Sequence, residues 1–135
     1  MPIALTDKER AMLLGTATQA LERAYAPYSN FHVGAALLTH DGHLFTGCNV
    51  ENASYGLTNC AERSAIFNAV QQTPGKLELR AVAVVNRNDV PCSPCGACRQ
   101  VIAEFGRDTV IIFRGQKGYV EMPIADLLPE SFRLS

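Results

Sequence analysis

The stretch that most constrains this chain is Ser93-Pro94-Cys95-Gly96-Ala97-Cys98-Arg99. It follows an unbroken apolar run, Ala81-Val82-Ala83-Val84-Val85, and opens a helical pattern, Gln100-Val101-Ile102-Ala103-Glu104-Phe105. A buried strand feeding a helix is the reading of that order. Ser93 suits an N-cap and Pro94 the first helical position, so both cysteines are expected on the first turn. Cysteines three apart on a helix lie on one face and can share a metal ion. The free N–H groups and the positive end of the macrodipole favour thiolates there. Two thiolates do not complete a tetrahedral zinc site, so a partner is needed from elsewhere. The other region with the right chemistry is Cys60-Ala61-Glu62.

Composition narrows the function classes. The chain has 135 residues, which fits one domain, 1–135, with a sizeable core. A formal net charge of −1 gives no basic surface for tracking nucleic acid or an acidic membrane. The start, Met1 to Lys8, shows no basic region followed by an apolar core, so no signal peptide is expected. No apolar run approaches transmembrane length. Five cysteines in such a chain point to metal or catalytic use in a reducing compartment, here the cytoplasm, and not to disulfides.

The rest of the chain supplies a scaffold. Thr6-Asp7-Lys8-Glu9 reads as a capping box, and Leu13, Ala17, Ala20, Leu21 and Ala24 mark one face of a helix ending near Ala26-Pro27. Strands are expected over 33–38 and 44–50, joined by a hairpin at Asp41-Gly42. Asn52 to Thr58 reads as a loop. Asn59 is a candidate cap for a helix from Cys60 to about Gln72, with Ala61, Ala65, Ile66, Ala69 and Val70 at helical spacing. Then follow a strand at 81–85, a helix at about 94–106, strands at 109–113 and 119–122, and a short helix between Pro123 and Pro129. The alternation of strands and helices implies right-handed crossovers and helices on both faces of a mixed sheet. In such sheets the strand ends that feed helices line the binding crevice.

Each motif has a plainer reading. Cys95-x-x-Cys98 alone fits a redox dithiol as well as half a metal site. Cys60 alone fits a small buried hydrophobe. Asn59-x-x-Glu62 fits a capping pattern, which would make Glu62 only a cap. The coincidence of all these pieces at the starts of two helices flanking one strand favours metal. Three thiolates and a solvent molecule give zinc an open position, the catalytic pattern. They also leave the site net negative. Two helix N-termini would offset this, as would a cation, and Arg63 and Arg99 each directly follow a motif.

Cys60-Ala61-Glu62 with Pro94-Cys95-Gly96-Ala97-Cys98 resembles the zinc nucleoside and nucleobase deaminases, whose signature and chemistry are well described. Phe31-His32-Val33-Gly34-Ala35-Ala36, Asn49-Val50-Glu51-Asn52 and Ala53-Ser54-Tyr55-Gly56 are similar to the short, homotetrameric cytidine deaminases. The resemblance runs from about Ala26 to Phe132. It implies a three-layer α-β-α sandwich around a five-stranded mixed sheet. It also implies hydrolytic deamination of cytidine and deoxycytidine to uridine and deoxyuridine, with release of ammonia, in pyrimidine salvage. Blasticidin-S deaminases share the size and zinc motifs, but Asn49-x-Glu51-Asn52 and the Ala53-Ser54-Tyr55 run favour cytidine.

The resemblance also assigns roles. Cys60, Cys95 and Cys98 would hold Zn2+, and Glu62 would move protons from the attacking water to N3 of cytosine and to the leaving amine. The backbone of Ala61 and the carbonyl of Ser93 would contact the base, and Phe31 would pack against base or ribose. Asn49 and Glu51 would bind the ribose hydroxyls; two apart on a strand end, they point to the same side. Arg63 would compensate thiolate charge. Tyr55 would reach a neighbouring subunit's ribose and Phe132 would stack on a neighbour's cytosine, giving a homotetramer with shared active sites. His32, His40, His43, Cys48 and Cys92 lie outside these motifs.

Overall fold

The structure, a computed structural model, describes residues 4–134. Residues 1–3, where no signal peptide is expected, and Ser135 lie outside the described residues. The chain begins with α1 (Asp7–Leu21), whose capping box forms as expected. The Thr6 hydroxyl accepts from the Glu9 amide at 3.0 Å, and the Glu9 carboxylate accepts from the Thr6 amide at 2.9 Å. Such a cap stabilises the helix by roughly 1 kcal/mol. The Arg80 guanidinium also holds Glu9, at 2.9 Å, which ties the helix start to the sheet.

α1 stops earlier than its apolar pattern suggests. The Tyr25 amide donates to the Asn49 carbonyl at 2.9 Å, and the Tyr25 carbonyl accepts from Glu51 at 2.8 Å. This bridge claims Tyr25, so the helix ends at its Glu22 cap in a tight turn. β1 (Val33–Thr39) and β2 (Leu44–Cys48) then form the Asp41-Gly42 hairpin, with Gly42 at φ 91°. Val50, expected in the second strand, instead bridges to Tyr25 and Asn59. A 3-10 turn over Tyr55–Leu57 interrupts the expected loop.

The remaining elements are α2 (Ala61–Gln72), β3 (Leu79–Asn86), α3 (Gly96–Phe105), β4 (Val110–Gly115), β5 (Gly118–Pro123) and α4 (Ile124–Leu127). The sheet order is β2-β1-β3-β4-β5. β1 is antiparallel to both neighbours, β3 and β4 are parallel, and β5 closes antiparallel to β4. The sheet is therefore mixed and five-stranded.

One layer differs from the expectation in its cause. β2 and β3 run the same way, with β1 between them, and the chain steps in one direction along the sheet from β2 to β3 to β4. Crossovers of one hand in one direction put their helices on one face. Accordingly α2 and α3 share a face, where Ala61, Ala65, Ile66, Ala69, Ile102 and Ala103 pack on Ala35, Leu37, Val82, Val84 and Ile111. α1 covers the other face, where Leu13, Ala17 and Leu21 pack on Ala36, Leu38, Ala81, Ala83 and Ile112. A fully buried side chain such as Ile66 contributes roughly 1.5–3 kcal/mol. Val70, at helical spacing with the core residues, instead faces solvent beside Phe67.

Close approach of helices to the hairpin depends on two glycines. A Cβ on Gly34 would strike the Ala17 carbonyl of α1 and lie 2.6 Å from the Leu21 nitrogen. A Cβ on Gly47 would strike the Ala65 nitrogen of α2 and lie 2.8 Å from the Ala61 carbonyl oxygen. Gly47→Ala should therefore push the start of α2 off the sheet and lower stability by roughly 1–3 kcal/mol. Gly15→Ala is the contrast, because Gly15 lies mid-helix in α1 with nothing near the added methyl. It should stabilise by about 0.5–1 kcal/mol through the lower entropy cost of alanine. Urea unfolding midpoints check both, and equal shifts would refute the close-approach argument.

Candidate active site

The site is built where two strands hand over to two helices. β2 and β3 end at the same edge of the sheet, and α2 and α3 begin there on the same face. Each helix starts on a cysteine. Cys60 is the N-cap of α2 and Cys95 the N-cap of α3, both in extended backbone. Their carbonyls accept the first helical bonds, from Ser64 at 3.0 Å and Arg99 at 2.9 Å. Neither expected cap holds. Asn59 instead donates to the Ser64 hydroxyl, and Ser93 and Pro94 precede α3 altogether. The extended conformation of Cys95 turns its sulfur toward the free N–H groups of its turn, whereas the Cys60 sulfur makes no such cap. The Cys95 sulfur accepts from the Cys98 amide at 3.4 Å.

Three sulfurs converge. Those of Cys60, Cys95 and Cys98 all lie within 4.8 Å of one another, the one such cluster of potential ligands among the described residues. Cys60 and Cys95 are 3.9 Å apart. Thiolates on one tetrahedral zinc, with Zn–S near 2.3 Å, stand roughly 3.8 Å apart. The donor set and its spacing therefore fit a zinc ion with three protein ligands. Cys92 is half-buried and near enough to feel Cys60, Cys95 and Glu62, but it lies outside the cluster. Its amide is bridged to the Arg114 carbonyl, which fixes it on the neighbouring strand. Cys48 sits half-buried in β2.

Charge at the cluster is unequal. The Arg63 guanidinium donates to the Cys60 sulfur at 3.2 Å. The Cys60 thiol is held well below its ordinary range, first by the hydrogen bond from Cys98 and then by Arg63. Cys98 is pushed up by the same hydrogen bond and by burial. Arg99, the other cation beside a motif, does not serve this purpose. Its guanidinium turns away and bonds the Pro94 carbonyl at 2.8 Å, the Leu127 carbonyl at 2.9 Å and the Ser93 hydroxyl at 3.1 Å.

Glu62 lies on the first turn of α2 and is only 4% exposed. It is the second helical residue, and Cys60 forms no side-chain cap, so the capping-box reading fails. Burial pushes its carboxyl up to about 7, and the Cys60 charge adds to the rise. A carboxyl with that affinity can both take and give a proton near neutral pH. Ala61, first in the helix, is fully buried.

The bridge between Val50 and Asn59 sets Asn49 opposite Cys60 and Glu51 opposite Thr58. As expected, Asn49 and Glu51 point to one side, but what they hold there is the 28–33 loop. Asn49 donates to the Phe31 carbonyl at 2.7 Å and accepts from the Val33 amide at 2.9 Å. Glu51 accepts from the amides of Tyr28 and Ser29, at 2.9 and 3.2 Å, and from the Ser29 hydroxyl. Ser29 and Tyr28 are thus part of the site's frame, and sequence reasoning had only a loop there. Asn30 at φ 56° was the available sign of a tight turn. Phe31 is half-buried against the core. Tyr55 is 77% exposed, meets Tyr28 edge-on with ring centroids 6.4 Å apart, and lines an open depression of about 430 Å³ with Ser29, Glu51, Asn52 and Thr58. Phe132 is 70% exposed on a tail that lies along α3.

Known proteins match this chain closely. The model of the cytidine and deoxycytidylate deaminase zinc-binding region matches residues 7–114. A cytidine deaminase of Halalkalibacterium halodurans is 50% identical over 92% of this chain and 94% of its own length. One from Mycobacterium tuberculosis is 46% identical over 96% of this chain and 94% of its own length. The crystal structure of cytidine deaminase from Burkholderia pseudomallei superposes with a TM-score of 0.81 at 48% identity, over 95% of this chain and all of that one. The matched region spans both helix starts on which the three sulfurs gather here and most of the chain, and the chain belongs to the cytidine deaminase family.

Proposed function

We propose that this chain, as a single catalytic domain over 1–135, deaminates cytidine and deoxycytidine by zinc-dependent hydrolysis, yielding uridine or deoxyuridine and ammonia. The observation that carries this reading is the three-sulfur cluster at two helix starts with a buried carboxyl, Glu62, two residues beyond one of them. Cys60, Cys95 and Cys98 would hold the zinc. When bound, zinc makes water acidic enough to supply a nucleophile at neutral pH. Glu62 would take a proton from the attacking water onto its carboxyl, give it to N3 of the cytosine, and then pass the remaining hydroxyl proton to the leaving amine. Its burial gives it the proton affinity for both transfers. Arg63 neutralises the excess charge of three thiolates.

The remaining residues place the nucleoside. Ala61 opens a helix, so its amide has no helical partner and can donate to the base, beside the Ser93 carbonyl. Asn49 keeps one amide N–H, and Glu51 one acceptor position, after bonding the 28–33 loop. These would take the ribose hydroxyls, and Phe31 would pack against the base or sugar. The loop bonds orient both side chains before substrate arrives.

We place the enzyme in pyrimidine salvage in the cytoplasm. Three of the five cysteines gathered as one potential metal site fit use as thiols in a reducing compartment. Its partner is a small nucleoside, not nucleic acid or membrane. No helix among the described residues is long and apolar enough to cross a membrane. A homotetramer with shared sites is supported by exposed apolar residues on α2 and the turn before it, Phe67, Val70, Tyr55 and Leu57. Tyr55 would reach a neighbour's ribose and Phe132 a neighbour's cytosine.

The function is tested with Glu62→Gln, which keeps the shape of the buried side chain but cannot shuttle protons. The variant should fold and retain metal, with cytidine turnover lowered by ~10²–10⁴-fold or more. Turnover within about tenfold of the parent, ~1.4 kcal/mol in barrier, would remove Glu62 from proton transfer.

Shared sites are tested by complementation. Phe132→Ala should weaken cytidine binding by roughly tenfold to a hundredfold through loss of stacking. Co-refolding Phe132→Ala with Glu62→Gln should rebuild some sites with both groups intact, and activity should exceed the sum of the two alone. No recovery in demonstrably mixed oligomers would place Phe132 in its own chain's site or outside it.

A further inference from the structure

Arg99 is half-buried and joins two segments that meet nowhere in sequence. All three of its guanidinium nitrogens donate, to the Pro94 carbonyl, the Ser93 hydroxyl and the Leu127 carbonyl. Pro94 is fully buried, and its carbonyl lies one peptide before Cys95. Leu127 is the last residue of α4, where the helical carbonyls run out of partners. Beyond it the tail has no regular structure and relies on α3. The Gln100 amide donates to the Phe132 carbonyl at 3.2 Å, and Arg133 donates to the Ala103 carbonyl at 2.6 Å. α3 thus carries Cys98 within the cluster, while Arg99 pins the end of α4 and Gln100 and Ala103 grip the tail that leaves it.

We propose that Arg99 is a positioning residue that locks the Ser93–Cys95 segment to the end of α4, from which the C-terminal tail leaves, so that the cysteine loop and Phe132 are placed together. The rigid guanidinium fork is what the site needs. A lysine ammonium carries the same charge but is a point donor on a flexible stem and cannot meet three fixed acceptors at these angles. The role differs in kind from that of Arg63, which touches a sulfur. The structural link stands on the hydrogen bonds alone; its consequence for catalysis rests on the function proposed above.

Hydrogen–deuterium exchange on the purified full-length protein tests it, with Arg99→Lys and Arg99→Gln compared with the parent. Peptides spanning 92–98 and 128–134 should lose protection together in both variants, while those from α1 and β1 stay unchanged. Zinc content should be retained. The KM for cytidine should rise about tenfold with kcat changed less than about threefold, because small misplacement of binding groups is costly while the ligands and Glu62 remain. A purely stabilising role would lower the melting temperature without this paired loosening or the KM shift. Gln100→Ala provides an independent arm. It frees only the tail end at Phe132, so 128–134 should loosen and 92–98 should not. Arg99→Lys indistinguishable from the parent in exchange and KM would overturn the proposal. So would loosening of one segment alone in the Arg99 variants, or equal loosening of 92–98 in Gln100→Ala. A parent protein that fails to turn over cytidine while the paired loosening persists would sink the proposed function and leave the positioning role intact.

Discussion

The N-termini of α2 and α3 lie side by side at one edge of the sheet, and the chemistry depends on that meeting. It follows from strand direction. β2 and β3 are parallel across the intervening β1, so both hand over to helices at the same edge. A common direction of travel along the sheet places both helices on one face. Gly47 lets α2 settle onto β2, and small residues Ala61, Ala65 and Ala69 keep it close. The distance between Cys60 and Cys95, 35 residues apart in sequence, is thus a property of the packing.

The same meeting sets the electrostatics. Two macrodipoles point their positive ends at the sulfurs, and Arg63 adds a full charge at Cys60. These make a cluster of thiolates tolerable inside a protein and ready for a dication. Glu62 sits on the same turn but sees the opposite environment. It is buried without a hydrogen-bonding cap, and its carboxyl is driven up. One helix start therefore carries a group pushed toward ionisation and another pushed toward neutrality. In the proposed function, that pairing keeps the metal-holding group and the proton-carrying group apart within three residues.

Much of this was legible in the sequence, for physical reasons. The three cysteines whose sulfurs converge stood out by residue type and spacing, and the elements by periodicity and capping. The errors lie where tertiary contacts override local signals. Ser93 and Asn59 are good N-cap residues, yet the helices begin one or two residues later, at cysteines whose sulfurs meet across the two helix starts. α1 has the apolar spacing to continue past Leu21, yet Tyr25 is claimed by Asn49 and Glu51. Arg99 carries the right charge next to a motif, but a sequence cannot show that three acceptors lie behind it. The bonds from Asn49 and Glu51 to the 28–33 loop were hidden likewise, since their partners are mostly backbone groups without a signature.

The central claim is that this meeting of helix starts presents three sulfurs and leaves a fourth position open. Cys92, half-buried nearby, is the residue that could close it. X-ray absorption at the zinc edge of the purified protein distinguishes the two most directly. The expected spectrum fits three sulfurs at about 2.3 Å and one oxygen or nitrogen. A shell of four sulfurs would mean a closed structural site, and one of only two would mean that the helix starts do not converge on the metal; either would contradict the account.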